Sequence, residues 1–215
     1  MSEQHLKLYE SSFSPNSRRV RIFLAEKGIC VPRVPVDLGA REQHSDAYVR
    51  INPRRVVPTL VLEDGTAIGE VPAILRFLEE TYPTTPLLGT SPKDKALVTM
   101  WERRMELEGF APVMETVRNN AAGLKGRAIA GPHDYEQIPA LVERGRQRVA
   151  DFYDDLQARL AETPFVAGDR FSVADITAVV TIDFATAALK LPIPEHHAAS
   201  QLWYKQILNR PSMAA

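Results

Sequence analysis

Hydrophobic and polar positions along this chain change rhythm once, near residue 82. Before it, short apolar runs are separated by turn residues; after it, apolar residues recur at helical spacing. Leu6-Lys7-Leu8-Tyr9 alternates and predicts a first strand. A loop rich in helix-capping residues follows, Ser11 to Ser17, then a helix from Arg18 to Lys27 with Val20, Phe23 and Leu24 on one face and Gly28 as its stop. Cys30 to Leu38 predicts a second strand, which Pro32 and Pro35 assign to a sheet edge. Strand, helix, strand in that order makes the two strands parallel. Gly39 to Asn52 is a polar connector with room for one short helix. Val56 to Leu62 is β-branched and apolar, Glu63-Asp64-Gly65 is turn chemistry, and Thr66-Ala67-Ile68 returns as a fourth strand. Pro72 suits the first position of a helix whose stripe is Ile74, Leu75 and Leu78.

Tyr82-Pro83-Thr84-Thr85-Pro86 and Gly89-Thr90-Ser91-Pro92 form a linker. The expected division is therefore 1–82 as a βαβ–ββα domain, 83–92 as linker and 93–215 as an all-helical domain. Lys93 to Val117 carries Leu97, Trp101 and Met105 at four-residue steps. A looser region from Gly123 to Pro139 holds His133. A long amphipathic helix follows, with Val142, Val149, Phe152, Leu156 and Leu160. Ser172 and Asp175 have capping-box spacing, flanked by Phe171 and Ile176 as a hydrophobic staple, so Asp175 reads as structural. The helix behind them is apolar nearly all round through Ala188, as a central buried helix must be. Ser200 to Leu208 makes the last one.

Composition narrows the function classes. The 215 residues carry a net charge of −1, which gives no electrostatic reason to expect nucleic acid or an anionic membrane as partner. No stretch approaches the ~18 uninterrupted apolar residues of a membrane span, and the N-terminus has no apolar signal region. One cysteine, Cys30, cannot form an internal disulfide and suits a reducing compartment, so the cytoplasm is the expected location. Cys30 itself reads as a small buried apolar residue. The histidines (His5, His44, His133, His196, His197) include no pair at ligand spacing with a carboxylate, so no metal site is expected.

Two features look chemical. A proline at 58 cannot donate to a sheet ladder; the residues alone favour an ordinary trans bond, whereas a cis Val57-Pro58 bond would turn the Val57 backbone outward to pair with an extended peptide. Glu70 lies beside a helix N-terminus, where exposed N–H groups attract a carboxylate while Glu70 itself can hold an ammonium group. Together these describe a seat for a small zwitterionic peptide. Glu70 as a mere complement to the helix dipole stands equally open.

The runs Ser14-Pro15-Asn16-Ser17-Arg18-Arg19-Val20-Arg21-Ile22, Asn52-Pro53-Arg54-Arg55-Val56-Val57-Pro58-Thr59-Leu60, Asp64-Gly65 with Glu70-Val71-Pro72-Ala73-Ile74, and Gly168 to Thr177, in this order and spacing, resemble the cytosolic glutathione transferases over the whole chain. The likeness is greatest to the bacterial and fungal branch. It implies a thioredoxin-like N-terminal domain, an all-helical C-terminal domain, and conjugation of glutathione to a small hydrophobic electrophile, with glutathione as cosubstrate. Val57, before a cis Pro58, would pair with the cysteinyl part of glutathione; Glu70 and the N–H of Val71 would hold the γ-glutamyl end. Gln43 and His44 would face the glycyl carboxylate, with His44 otherwise a surface histidine. Ser14 matches the residue that aims a hydroxyl at the sulfur, with Ser12 second and a plain helix cap as its other reading. Arg118 and Asn119 stand where some members hold a thiol-activating water. Met105, Glu108, Met114, Arg118 and Asn119 would line the electrophile site. A homodimer is expected on the same ground.

Val71 replaces a serine common among relatives, and Val56 a glutamine or lysine, so weaker glutathione binding is expected unless Arg54 and Arg55 compensate. These departures keep open a glutathione-dependent peroxidase or isomerase on the same site, and a non-enzymatic binding or interaction module.

Overall fold

The structure, a computed structural model, describes residues 6–215; His5 lies outside the described residues. The chain divides into two compact units. One runs through Thr85 and includes the short segment Ala130–His133 and Ala215; the other comprises Pro86–Ile129 and Asp134–Ala214.

The first unit is built on four strands in the order β2-β1-β3-β4: β1 Lys7–Glu10, β2 Arg33–Pro35, β3 Thr59–Val61 and β4 Ala67–Ile68. β2 runs parallel to β1 at one edge, as its prolines and the crossover helix require; β3 and β4 are antiparallel neighbours. β2, β3 and β4 are each shorter than their apolar runs. Pairing ends where the loops take over the backbone: Cys30–Leu38 contributes only three paired residues, and Pro58, which cannot donate, stands just outside β3.

Helix α1 spans Pro15–Lys27, three residues earlier than the apolar stripe suggests, because Ser14 caps it and Pro15 fills the first turn. Gly28 ends it in the left-handed conformation at φ 66°. The connector holds a 3₁₀ turn, Glu42–His44, and α2, Asp46–Ile51. α3, Val71–Thr81, packs against α1 with Ile74, Leu75 and Leu78 fully buried. Pro72 occupies its second position, not its first, since Glu70 is the cap. Cys30 corrects the sequence reading: it is exposed, lying in the extended segment between the end of α1 and β2, outside any paired strand.

The second unit is helical. α4 (Pro92–Arg104) and α5 (Ala111–Asn120) are joined by a wide π-type turn, Met105–Phe110, where one continuous helix was expected. Pro112 has no N–H to give back to this turn, which widens the ladder there. At Gly109 an added Cβ would meet the Phe152 ring at 2.6 Å, so the turn passes close over α6 (Pro139–Glu162). Gly145 of α6 lets Thr116 of α5 approach in the same way, with only 2.0 Å from a hypothetical Cβ to its Oγ1.

α7 (Val173–Phe184) is the central helix: every residue from Val173 to Ile182 is buried, and it packs on α4 and the π-type turn. Its capping box is formed as expected. Asp175 accepts from the Ser172 N–H (2.9 Å) and hydroxyl (3.2 Å), the Val166 N–H (2.9 Å) and the Trp203 indole (3.0 Å) of α8, Ala198–Leu208. Burial pushes its carboxyl up to about 6 against those four donors. Among the described residues no helix is long and apolar enough to cross a membrane.

Candidate functional site

The register of the sheet gathers the first unit's candidates at one end. Tyr9 pairs with Thr59, so β1 finishes where β3 begins. Leu60 pairs with Ile68, so β4 finishes at that end too, and Glu10 opposite Pro35 brings the end of β2 to it. The segments leaving these four ends are the serine loop before α1, the 3₁₀ turn with Gln43 and His44, the Val57-Pro58 dipeptide, and Gly69-Glu70-Val71.

Ser14 sits at the N-terminus of α1, 8 % exposed, and its hydroxyl oxygen accepts from the Ser17 N–H at 3.3 Å. It therefore caps the helix, and that bond leaves its own O–H free to turn toward an acceptor. Pro15 has no N–H and Arg18 donates to the Ser14 carbonyl at 3.0 Å, which makes the Asn16 N–H the remaining first-turn donor. Ser12 is exposed in the preceding turn; Ser17 is fully buried and accepts from the Ser11 N–H at 3.3 Å. Phe13, between Ser12 and Ser14, is 92 % exposed.

Val57-Pro58 is the cis peptide of the chain among the described residues, where the residues alone favoured trans. Val57 packs with Val36 and Tyr48 under Tyr9 and Leu38. Among the described residues neither its N–H nor its carbonyl bonds to the protein. The backbone just before it is tightly held. The Val56 carbonyl accepts from the Tyr48 hydroxyl at 2.6 Å and the Asn52 amide at 3.1 Å; the same amide donates to Thr59 Oγ1 at 2.8 Å, which lies 3.1 Å from the Tyr48 oxygen. Burial raises the Tyr48 phenol further above its ordinary range, so it stays a donor.

Glu70 has φ 60° and ψ 124°, outside the ordinary regions for a residue with a Cβ, and its exposed side chain makes no cap bond. Its carbonyl accepts from Ala73 (3.1 Å) and Ile74 (3.0 Å). With Pro72 lacking an N–H, the Val71 N–H is the open donor of this helix start. Such a backbone costs of order 1–3 kcal/mol and is commoner at ligand sites than elsewhere. Gln43 and His44 lie half-buried on their 3₁₀ turn, and Gln43 Oε1 is buried without a hydrogen-bond partner among the described residues.

In the helical unit Met105 and Glu108 line one cavity of about 400 Å³ with Trp101, Arg104, Phe152 and Arg159. Met114, Arg118 and Asn119 do not. The Arg118 guanidinium donates to the Arg127 and Ala128 carbonyls, at 2.5 and 3.3 Å. Burial, aided by the Arg127 charge, lowers its pKa. Asn119 accepts from the Ile138 N–H at 2.8 Å and donates to the Glu115 carbonyl at 2.9 Å. Both side chains brace the loop 121–138.

Family models for the N-terminal and C-terminal domains of glutathione S-transferases match residues 13–81 and 139–205. Glutathione S-transferase 2 of Saccharomyces cerevisiae is 32% identical over 229 residues, covering 98% of this chain and 89% of that protein. The chain belongs to the glutathione S-transferase family. A crystal structure of a glutathione S-transferase domain-containing protein from Marinobacter aquaeolei superposes with a TM-score of 0.86 at 35% identity, over 96% of this chain and 99% of that one. The maleylacetoacetate isomerase of Pseudomonas aeruginosa is 40% identical over 93 residues, 42% of this chain and 44% of that protein. The mixed four-stranded sheet followed by a helical unit is thus a glutathione S-transferase architecture, as the sequence motifs implied.

Within that architecture, sequence reasoning missed Tyr48, Asn52 and Thr59. Asn52 opens a motif already singled out and Thr59 lies within it, yet their partners lie up to eleven residues away, and no periodicity marks such a network.

Proposed function

We propose that this protein is a glutathione transferase that adds the thiolate of glutathione to small hydrophobic electrophiles. The observation that carries this reading is Glu70, an exposed carboxylate on a disfavoured backbone beside the open N–H of Val71. A carboxylate and a helix-start N–H match the ammonium and carboxylate of a γ-glutamyl group. The N–H and carbonyl of Val57, unpaired among the described residues, take the cysteinyl main chain, and Gln43 and His44 face the glycyl carboxylate. Ser14, or failing it Ser12, donates its hydroxyl to the sulfur.

A thiol with a pKa of about 8.5 is only a few per cent ionised at neutral pH, and the thiolate is the nucleophile. A hydroxyl and a helix N-terminus beside the sulfur favour the charged form, each unit of pKa lowering being about 1.4 kcal/mol. The carbon–sulfur bond then forms at the electrophilic carbon, and the thiol proton leaves to solvent. Met105 and Glu108, with their shared cavity, support an electrophile role better than Met114, Arg118 or Asn119. We further assign the domains as 1–82, 83–92 and 93–215, and the active form as a cytoplasmic homodimer.

Calorimetry with glutathione, alongside thiolate absorbance against pH, tests the reading on the native chain and on Ser14→Ala. Binding with a thiol pKa well below the free value, raised again in Ser14→Ala, is the expected outcome; no binding to the native chain overturns it. A second reading, a glutathione-dependent isomerase at the same site, is favoured by the stretch of likeness to maleylacetoacetate isomerase. Turnover of maleylacetoacetate against an aryl halide separates the two.

A further inference from the structure

The Val56 carbonyl receives two strong hydrogen bonds, and it shares one rigid unit with the Val57 N–H. A peptide group is planar, and this one is trans, so the N–H of Val57 points opposite to the carbonyl of Val56. Whatever fixes one fixes the other.

The two short bonds that fix it come from Tyr48 and Asn52. Tyr48 O–H donates to the Val56 carbonyl at 2.6 Å. One Asn52 amide hydrogen goes to that carbonyl and the other to Thr59 Oγ1, leaving the Thr59 hydroxyl hydrogen for the Tyr48 oxygen at 3.1 Å or for the Val56 carbonyl itself at 3.4 Å. Asn52 is itself locked. Its N–H donates to the Tyr48 carbonyl at 2.8 Å, its own carbonyl accepts from the Arg55 N–H at 2.9 Å, and its Oδ1 accepts from the Arg54 N–H at 2.9 Å. Tyr48, Asn52 and Thr59 are 3 %, 6 % and 0 % exposed, so water does not compete for these bonds. None of the three side chains is placed to touch a peptide seated on Val57 from outside; they act on it through the backbone.

We propose that Tyr48, Asn52 and Thr59 are positioning residues that aim the Val57 N–H at the main chain of bound glutathione. The inference rests on the glutathione seat proposed above. It makes binding affinity, not thiol activation, the quantity they control, because the sulfur is served by a different segment, the serine loop that follows β1.

Tyr48→Phe and Thr59→Val each delete a hydroxyl and nearly conserve volume; Thr59→Ser keeps the hydroxyl and is the rescue variant. Calorimetric Kd for glutathione, kcat at saturating glutathione, the bound thiol pKa and the melting temperature are measured on all four proteins. Loss of one such bond is expected to raise Kd about tenfold in Tyr48→Phe and Thr59→Val. The thiol pKa and saturated kcat stay at the native values, and Thr59→Ser restores the Kd. Native Kd in both hydroxyl-deleted variants, whatever happens to their melting temperatures, makes the network a purely structural brace and overturns the inference alone. A rise in thiol pKa matching the rise in Kd also overturns it. A native chain that does not bind glutathione overturns the seat, and the inference with it.

Discussion

Asp175 accepts four hydrogen bonds, yet it is fully buried, and burial holds its carboxyl near 6. The folded state therefore binds its proton more tightly than the unfolded chain, whose Asp titrates near 3.8. The extra stability is complete below the unfolded value and is lost as pH rises through the folded one. Measured by denaturant titration, the stability difference between the native protein and Asp175→Asn should shrink by about 3 kcal/mol from pH 3.5 to pH 7.5. A difference that is flat with pH would mean that the four donors hold the carboxylate ionised throughout. The capping role was legible, since Ser172 and Asp175 have the spacing and Phe171 precedes them. The bond from Trp203, twenty-eight residues on, was not, because a tertiary contact leaves no period in the sequence.

At the level of elements, the tight seam is between α5 and α6. Alanine at Gly145 would gain about 1 kcal/mol of helix propensity in an open helix. Here its Cβ falls 2.0 Å from Thr116 Oγ1, which is itself tied to the Pro112 carbonyl at 2.7 Å. Overpacking should win, with Gly145→Ala losing about 1–3 kcal/mol. Adding Thr116→Ala should recover part of that loss; additive single effects in the double mutant would show that the helices part freely. The apolar stripe marks these helices well. It missed the π-type turn because Leu97, Trp101 and Met105 keep their rhythm up to it, and the widening comes from Pro112 and from the Phe152 ring beneath Gly109. The strand signal overshot for the opposite reason: apolar runs continue into loops that pack without pairing, as Val57 does beside Tyr48.

On the scale of the whole molecule, one ammonium ties the last segment of the first unit to its helices. Lys27 at the end of α1 reaches Glu79 of α3 at 2.7 Å and the carbonyls of Thr84 and Thr85 at 3.0 Å each, with its side chain fully buried. Lys27→Met removes the ammonium bonded to the buried Glu79 and to both carbonyls, and should cost about 3 kcal/mol. Limited proteolysis should then cut between Tyr82 and Pro86 faster than in the native chain. An unchanged cleavage pattern would mean that other contacts hold that segment. The linker residues announced themselves through their prolines and threonines, whereas the lysine that ties them down stood fifty-seven positions earlier and looked like an ordinary basic residue at a helix C-terminus. Cys30 was misjudged at this scale too, since whether a small residue is buried depends on where the sheet edge falls. That exposed, solitary thiol makes the protein its own labelling scaffold: one maleimide dye per molecule, attached under native conditions without engineering, at a point between α1 and β2. A fluorophore there would sit on the crossover of the sheet whose opposite strand ends carry the candidate seat, and its anisotropy would follow that domain alone as it unfolds.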